Sequence, residues 1–378
     1  MPRRNIVALI LAGGRSSRMG ALKPLLPVNG KPAIQWAVET FKEAGISDVR
    51  VVVGFRSEQL IQVLETLGVK IIVNPDPERG MFSSIQEGLR SFSDTADAFF
   101  LMPADMPMLR SQTIEKLLKV YDQSLYSVIY PTYLGERGHP PLITRRCFSE
   151  ILTEKPDQNL RNILEAFESD SHEVRCPDSG IRMDMDTPAD YQDITTYCAN
   201  REAPTCGECA MLFDIYGTPE PVIRHGRAVA AVATEIAIQL NQWVLMGVDI
   251  PLIYAAGLIH DIGKGKPHHG RVGARILEKE GFPSLSDAIA SHMDLRLPEG
   301  DFEIGPREIL YLADKMVEED TLVPLELRFS NAIRRNPSAG TVPAKVAVRL
   351  QTAQRIKQRI EQFLGIDDLY AALYPRAQ

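Results

Sequence analysis

The alternation of short apolar runs with amphipathic segments over the first 195 residues restricts the fold of this chain more than any other feature. Apolar runs of strand length are IVALILA, VRVVVGF, VKIIVN, AFFLMPA, SVIYPTY and PPLIT. Segments with helical periodicity separate several of them, such as PAIQWAVETFKEAG, SEQLIQVLETLG and SQTIEKLLKVYDQ. Strands that alternate with helices build a mainly parallel sheet with helices on both faces. We therefore predict a Rossmann-like α/β fold for the first half.

The pattern changes after about Pro219, where the strand signal disappears. The segments PEPVIRHGRAVAAVATEIAIQL and IPLIYAAGLIHDIG have the spacing of buried or half-buried helices, and VAVRLQTAQRIKQRIEQFLG has that of an amphipathic helix. Between the two patterns lies the polar stretch CANREAPTCGEC, which has no periodicity. A chain of 378 residues can form two domains of ordinary size. We predict an α/β domain over 1–197, a linker over 198–214 and an all-α helical bundle over 215–378.

Composition and charge exclude several functional classes. The chain is 44% hydrophobic and 24% charged, and its formal net charge is −7, which argues against general binding to nucleic acid or membrane surfaces. No apolar run approaches the roughly 20 residues that span a bilayer. The five scattered cysteines do not suggest a disulfide framework, and the single pair Cys206 and Cys209 is a weak signal for zinc. We expect a cytoplasmic protein with no nucleic-acid or membrane partner.

The first apolar run leads directly into a loop of glycines and basic residues. Gly13 and Gly14 follow Ala12 and precede two arginines and Lys23. Ligands of open α/β sheets bind beyond the carboxyl ends of the strands, where a bare glycine backbone can approach a phosphate. The loop lacks the Gly-Lys-Ser/Thr ending of a Walker loop and the glycine spacing of a dinucleotide fingerprint. We predict a phosphate-binding loop, with a solvated glycine turn as the alternative.

An aspartate is predicted at the same edge of the sheet. Asp105 follows the apolar run AFFLMPA. Mg²⁺ is usually held by one or two carboxylates together with phosphate oxygens. Enzymes of phosphoryl-group chemistry work mainly by positioning and by charge neutralisation. Asp105 is therefore a candidate Mg²⁺ ligand beside the glycine loop, and a simple turn residue is the alternative.

Five motifs, in order, resemble the MobA-like nucleotidyltransferases of molybdenum-cofactor biosynthesis. They are LAGGRSSRMGALKPLLP, NPDPERGMFSSIQEGL, LMPADMP, GERGHPPLI and MDMDTPADY. The two residues between Gly20 and Lys23 are similar to the cytidylyltransferase branch, whereas Gly13 is similar to the guanylyltransferase branch. The resemblance implies Mg²⁺-dependent transfer from an NTP, with CTP favoured and GTP close, to the phosphate of molybdopterin. It also implies release of pyrophosphate, and a molybdoenzyme is a candidate recipient of the product.

The resemblance implies roles for individual residues. Lys23 and Arg18 hold the triphosphate, Asp105 and Asp186 bind Mg²⁺, and His139 lies on the acceptor side. The implied nucleotide-binding residues are Leu11, Ala12, Gly13, Gly14, Arg15, Gly80, Ser83 and Ser84. Three alternatives stay open: Asp186 as a helix N-cap before Thr-Pro, Asp184 as the ligand in its place, and simple loop packing for His139.

The second half carries histidines and aspartates in a recognisable order. They are His225, His260 with Asp261, His269, His292 and Asp314. Imidazole and carboxylate ligands together suit Mn, Fe, Co, Ni or Zn better than Ca²⁺. Helical bundles build metal sites from side chains on separate helices, and two adjacent ions can activate water and clamp a phosphate ester.

This order, with HDIGKG and HHGRVGARIL, resembles the HD-domain metal-dependent phosphohydrolases over about 215–330. The resemblance implies a first metal held by His225, His260, Asp261 and Asp314. It implies a second metal, if two are bound, held by Asp261, His269 and His292. Asp261 and Lys264 are implied to be catalytic, with Lys264 on the phosphate of a phosphoester substrate. The GYP element of cyclic-di-GMP hydrolases is absent, so that substrate is not assigned.

Two other functions stay open for the chain as a whole. A sugar-phosphate nucleotidyltransferase would use the same loop and the same metal ligands. A nucleotide- or cofactor-binding module without turnover would retain the fold while losing the chemistry. The intact Lys23, Asp105 and histidine–aspartate set argue against the second possibility.

Overall fold

The chain forms two compact units, Met1–Ala199 and Asn200–Gln378. The structure is a computed structural model that describes residues 5–14, 22–55, 58–155, 158–244, 246–335 and 342–374. No helix in these ranges combines the length and the apolar character needed to cross a membrane.

The first unit is an α/β structure, which confirms the fold class predicted from the alternation of apolar runs. Its strands are β1 (Ile6–Ala12), β2 (Pro27–Val28), β3 (Lys31–Pro32), β4 (Asp48–Val53), β5 (Lys70–Val73), β6 (Ala98–Pro103), β7 (Val128–Tyr133), β8 (Glu136–Arg137), β9 (Leu142–Thr144) and β10 (Ser171–Arg175). Its helices are α1 (Ala33–Glu43), α2 (Glu58–Leu67), α3 (Met81–Arg90), α4 (Ser111–Gln123), α5 (Phe148–Thr153), α6 (Leu160–Glu165) and α7 (Pro188–Ala199).

The main sheet of the first unit has the order β10-β7-β9-β6-β1-β4-β5, with β8 added to β7. Strands β6, β1, β4 and β5 run parallel to one another, and β10 runs parallel to β7. Strand β9 is antiparallel to both of its neighbours. Strands β2 and β3 form a separate hairpin. The sheet is therefore mainly parallel, as the sequence predicts.

Strand β1 is central because both of its faces are covered. Ala8 and Ile10 pack in the core on one face, and Val7 and Leu9 pack in the core on the other. A strand that is buried on both faces has a continuous apolar sequence rather than an alternating one. The register pairs Leu11 with Pro103, so the segments that follow β1 and β6 leave the sheet at the same edge.

The second unit is helical, which confirms the all-α prediction. Its helices are α8 (Cys206–Tyr216), α9 (Glu220–Val244), α10 (Ile250–Ile259), α11 (His269–Glu280), α12 (Ser286–Ser291), α13 (Pro306–Lys315), α14 (Leu325–Arg335), α15 (Val342–Leu364) and α16 (Leu369–Leu373). A short antiparallel hairpin of β11 (Val317–Glu318) and β12 (Thr321–Leu322) follows α13. Helix α15 buries Ala353, Ile356 and Ile360 in the core of this unit.

The region predicted as a linker over 198–214 differs in the structure. Helix α7 continues to Ala199, and α8 begins at Cys206. The polar residues Thr205 and Glu208 cap α8 reciprocally, and Leu212 is fully buried in the second unit. The polarity that suggests a linker therefore comes from a helix-capping box.

The crossing of α9 and α10 depends on two glycines. A Cβ at Gly226 would lie 2.2 Å from the carbonyl oxygen of Leu258, and a Cβ at Gly257 would lie 2.5 Å from the Cα of Ala230. Because glycine has no Cβ, these clashes do not occur, and the backbones of α9 and α10 pack directly against each other. This close approach of α9 and α10 places His225, the first histidine of the sequence order, beside His260, the second.

We expect Gly257→Ala to lower the free energy of unfolding of the second unit by about 1–3 kcal/mol, because the added methyl group forces α9 and α10 apart. Chemical denaturation followed by circular dichroism measures this loss. Gly14→Ala is the matched control, since a Cβ there would have no atom within 4 Å. Equal losses in the two variants would contradict the prediction.

Candidate functional site

A cavity of about 380 Å³ lies at the carboxyl edge of β1 and β6 in the first unit. Among the residues that line it are eight of the predicted site residues, Leu11, Ala12, Gly13, Gly14, Lys23, Gly80, Ser84 and Asp105. Arg15 and Arg18 lie outside the described residues. The structure thus brings the glycine loop, Lys23 and Asp105 to one cavity.

The glycine loop is closely packed against the end of β4 and the start of α3. A Cβ at Gly13 would lie 3.2 Å from the Oγ of Ser84, and a Cβ at Gly54 would lie 3.1 Å from the carbonyl oxygen of Gly13. A side chain at Gly13 would crowd Ser84 in the cavity, and one at Gly54 would displace the backbone of Gly13, so both glycines allow the loop its present position.

Asn74 orients the two serines that the sequence assigns to nucleotide binding. Its Nδ2 donates to the Oγ of Ser83 and to the Oγ of Ser84, both at 2.9 Å, and its Oδ1 accepts from the backbone N–H of Asp76 at 3.0 Å. Ser84 lines the cavity, whereas Ser83 is not among its lining residues. Asn74 is absent from the predicted site residues, although it begins the NPDPERG motif directly after β5.

Lys23 lies between two of the predicted magnesium ligands. Its Nζ is 3.1 Å from the Oδ2 of Asp105 and 2.5 Å from the Oδ1 of Asp186. The backbone N–H of Met185 donates to the carbonyl oxygen of Asp105 at 3.1 Å, which holds the two acidic segments together. Burial alone would lower the pKa of Lys23, but the hydrogen bonds to Asp186 and Asp105 raise it overall. The ammonium group is therefore retained between two carboxylates.

Asp184 adds a third carboxyl group to this cluster. Burial raises the pKa of Asp184, and the negative charges of Asp186 and Asp105 raise it further. Like charges that repel at short distance favour the binding of a cation. The donor set is all oxygen, which suits Mg²⁺. The residues of this cluster therefore fit the expected metal.

The cap of α7 is Thr187 rather than Asp186. The Oδ2 of Asp190 accepts from the backbone N–H of Thr187 at 2.7 Å, and the backbone N–H of Asp190 donates to the Oγ1 of Thr187 at 3.2 Å. The alternative of Asp186 as an N-cap therefore does not hold, because this reciprocal pair one residue later supplies the cap.

His139 is half-buried and is not among the residues that line the cavity. Its Nδ1 lies 3.5 Å from the carbonyl oxygen of Leu101. Burial lowers the pKa of His139, although the carbonyl of Leu101 and the charge of Asp105 oppose the shift. The imidazole is therefore neutral near pH 7.

The second unit brings together all six residues predicted from the histidine–aspartate order. His225 lies on α9, His260 and Asp261 directly follow α10, His269 begins α11, His292 follows α12, and Asp314 lies on α13. The Nε2 of His225 is 3.1 Å from the Oδ1 of Asp314. The Oδ1 of Asp261 is 3.2 Å from the Nε2 of His269 and 3.5 Å from the Nε2 of His292.

Backbone carbonyls orient three of the imidazole rings. The Nδ1 atoms of His225, His260 and His292 lie 2.6, 2.7 and 2.6 Å from the carbonyl oxygens of Glu319, Gly257 and Ile289, respectively. A ring that donates through Nδ1 presents the lone pair of Nε2 as a metal ligand. The rings are thus held in the orientation that metal-binding histidines adopt.

The Nε2 atoms of His260, His269 and His292 are buried and have no aligned hydrogen-bond partner among the described residues. Buried nitrogen atoms without partners are costly, and a metal ion would satisfy them. Two groups have their potential ligand atoms within 4.8 Å of one another: His225, His260 and Asp314, and His260, Asp261 and His292. The residues therefore fit a transition-metal centre.

Both carboxylates of this cluster remain ionised. Burial alone would raise the pKa of Asp261, but the contacts with His269 and His292 lower it strongly. Burial would likewise raise the pKa of Asp314, but the charge of Lys315 and the contact with His225 hold it well below its usual range. Ionised oxygens together with imidazole nitrogens are suitable ligands for divalent metals.

Two lysines contact the cluster. The Nζ of Lys264 is 2.6 Å from the Oδ2 of Asp261, and its side chain is 49% exposed. Lys315 is buried, and its Nζ donates to the Oδ2 of Asp314 and, at 3.1 Å, to the carbonyl oxygen of His292. Lys315 is likewise absent from the predicted site residues, although a lysine inside an apolar helical segment is unusual. A cavity of about 670 Å³ opens at this cluster.

Comparisons with known proteins match the two units separately. Residues 8–174 match the family model of the MobA-like NTP transferase domain, and residues 222–323 match that of the HD domain. The molybdenum cofactor cytidylyltransferase of Escherichia coli (strain K12) is 28% identical over 187 residues, which cover 49% of this chain and 93% of the relative. The molybdenum cofactor guanylyltransferase of Yersinia pseudotuberculosis serotype O:1b (strain IP 31758) is 33% identical over 141 residues, which cover 36% of this chain and 66% of the relative.

Among solved structures, Rv0371c from Mycobacterium tuberculosis H37Rv is 23% identical and has a TM-score of 0.47. The match covers 52% of this chain and 100% of the Rv0371c chain.

Proposed function

Because the chain combines a MobA-like NTP transferase domain over residues 8–174 with an HD domain over residues 222–323, we propose that it is a bifunctional enzyme. The first unit transfers a nucleotidyl group from an NTP to the phosphate of molybdopterin. The second unit hydrolyses a phosphoester at a centre of one or two divalent metal ions.

One observation carries the transferase proposal: Lys23 lies within ion-pair distance of both Asp105 and Asp186, beside the cavity that begins at the glycine loop. In the reaction, an oxygen of the acceptor phosphate attacks the α-phosphorus of the NTP. The bond from that phosphorus to the pyrophosphate oxygen breaks, and pyrophosphate leaves with the electron pair. Lys23 and the backbone N–H groups of Gly13 and Gly14 bind the triphosphate as negative charge moves to the leaving group. Asp105 and Asp186 would hold Mg²⁺, which neutralises phosphate charge when bound.

The choice of nucleotide rests on resemblance to the two branches of the family. The two-residue spacing before Lys23 and the GMFSS segment are similar to the cytidylyltransferase branch and favour CTP, whereas Gly13 is similar to the guanylyltransferase branch and keeps GTP close. The cytidylyltransferase and guanylyltransferase relatives support molybdopterin as the acceptor. The neutral imidazole of His139 would lie on the acceptor side. A molybdoenzyme is a candidate recipient of the nucleotidylated cofactor. A sugar-phosphate acceptor would use the same groups, and a binding module would use them without turnover.

We expect one NTP, CTP or GTP, to stabilise the full-length protein selectively in the presence of Mg²⁺. A ligand at 100 times its dissociation constant contributes about 2.7 kcal/mol, which a thermal-shift measurement with CTP, GTP, ATP and UTP detects. Asp105→Asn should abolish the shift. Acceptor competition then separates the alternatives: pyrophosphate release with hexose 1-phosphates but none with molybdopterin would exclude the cofactor function. A selective shift without pyrophosphate release from either acceptor would favour the binding module, and no shift with any NTP would contradict the transferase proposal.

The hydrolase proposal depends on the six clustered ligands of the second unit. Mn, Fe, Co, Ni or Zn ions, when bound there, supply Lewis-acid stabilisation of the phosphate and activate the attacking water. His225, His260, Asp261 and Asp314 would hold one ion, and Asp261, His269 and His292 a second. The backbone carbonyls keep the imidazoles oriented, and the exposed ammonium group of Lys264 would bind the substrate phosphate. The oxygen of the attacking water forms the new P–O bond while the ester P–O bond breaks. The leaving oxygen takes the electron pair of that bond and a proton released from the water, and it departs as the alcohol.

We expect the second unit to bind two metal ions and to lose one in His292→Ala, because that ring serves only one of the two implied sites. The content of bound metal, measured by plasma mass spectrometry after gel filtration, should fall from about two ions to about one. His172→Ala, in the first unit, is the matched control and should retain both. A wild-type protein with a single ion would contradict the two-metal assignment.

A further inference from the structure

A second cavity adjoins the metal centre of the second unit. It has a volume of about 960 Å³. Its lining comes from the start of α11, the segment after α12 and the first half of α15. His269, Met293 and Arg349 line both this cavity and the 670 Å³ cavity at the metal ligands. A molecule bound at the metal centre could therefore extend into the second cavity, which we call the outer cavity.

Cationic side chains dominate the outer cavity. Its lining includes Arg271, Arg296 and Lys345, none of which has a carboxylate partner within ion-pair distance in the described part of the chain. Asp294 is the sole carboxylate among the described residues that line this cavity, and Arg349 pairs with it at 2.8 Å. The positive charges of these three side chains are therefore not neutralised by a neighbouring carboxylate of the described residues.

The inner cavity, which is the 670 Å³ cavity at the metal ligands, carries a further donor. Arg328 lines it, and the Nε of Arg328 is buried without a hydrogen-bond partner among the described residues. Buried donors without partners are rare in folded proteins and favour the binding of a ligand that accepts hydrogen bonds. Guanidinium groups suit phosphate because their donors form a planar fork. The inner cavity thus offers a donor for the phosphate at the metal ions, and the outer cavity offers a separate set.

We propose that the substrate of the second unit is an organic phosphate with a second phosphate group. The scissile phosphate lies at the metal centre, and the second phosphate binds Arg271, Arg296 and Lys345. Leu295 and Val348, which also line the outer cavity, pack against the organic part. This inference rests on the proposed hydrolase function, and it adds the substrate class.

The test is calorimetric binding to the full-length, metal-loaded protein. The probes are adenosine 3′,5′-bisphosphate, AMP and adenosine 3′-monophosphate at one ionic strength. We expect the bisphosphate to bind at least tenfold more tightly than either monophosphate, because charge-assisted hydrogen bonds to phosphate are strong. The double variant Arg271→Ala, Arg296→Ala should remove this advantage and leave the affinity for AMP unchanged.

Arg275→Ala is the matched control, since Arg275 is exposed on the same helix but lines neither cavity. Equal affinity for bisphosphate and monophosphates, or an equal loss in the control, overturns the inference, as does failure of the bisphosphate to bind. Hydrolysis of bis(4-nitrophenyl) phosphate by the same preparation is measured separately. Its absence would reject the hydrolase function, whereas the binding comparison alone decides on the outer phosphate site.

Discussion

Asp261→Asn should remove metal from the second unit and lower phosphoester hydrolysis by about 10³-fold or more. Asp261 contacts several other residues of this cluster. One of its oxygens faces His269 and His292, and the other contacts Lys264. An amide in its place retains the size of the side chain but removes the negative charge and half of the ligand capacity. The metal ions then lose their shared ligand.

The measurements are metal content by plasma mass spectrometry and hydrolysis of bis(4-nitrophenyl) phosphate. Asp287→Asn is the matched control, because this aspartate is 75% exposed in the same unit. It should retain full metal content and activity. Nucleotidyl transfer by the first unit should be unchanged in both variants. Full hydrolysis by Asp261→Asn would reject the assignment of the HD site as the hydrolytic centre.

The second large effect is expected for Lys23→Met, which should lower the kcat of nucleotidyl transfer by about 10²- to 10³-fold. Lys23 is the described cation nearest to both Asp105 and Asp186, and its side chain is only 14% exposed. Methionine preserves the length and apolar stem of the side chain but removes the ammonium group. Charge that develops on the leaving pyrophosphate is then stabilised less.

Steady-state rates of pyrophosphate release over a range of NTP concentrations, at saturating acceptor, measure this effect. Lys119→Met, at an exposed position on α4, provides the control. A change confined to the KM of the NTP, with kcat preserved, would show that Lys23 acts only in ground-state binding. Wild-type kinetics would reject its role in the transfer.

The order of apolar runs is sufficient to predict most of the first unit. Strands β1 and β6 lie inside the sheet and are covered on both faces, so their sequences are continuously apolar. Strand β10 has no such signal, because it lies at the sheet edge and has the sequence SHEVR, in which none of the side chains is buried. Strand β9 appears in the sequence as PPLIT, but its antiparallel direction depends on its two neighbours.

Some candidate site residues can be predicted from the sequence because the direction of the strands alone determines where they lie. Gly13 and Asp105 follow adjacent parallel strands, so both must leave the sheet at one edge. The histidines occur in an order that a known family shares. Asn74, directly after β5, and Lys315, within an apolar segment, are also visible in the sequence, but the groups that they contact are set by tertiary packing.

Periodicity was sufficient to predict the two fold classes, and the residue order together with the family resemblance led to the candidate phosphate-binding edge and the six candidate metal ligands, which stay predictions. Three other features became visible only in three dimensions: Asp186 faces Lys23 while Thr187 caps α7, residues 206–216 form a helix of the second unit, and a cationic cavity adjoins the candidate metal ligands. These features depend on distances between segments that are far apart in the chain. Such distances are set by packing, which no local pattern encodes.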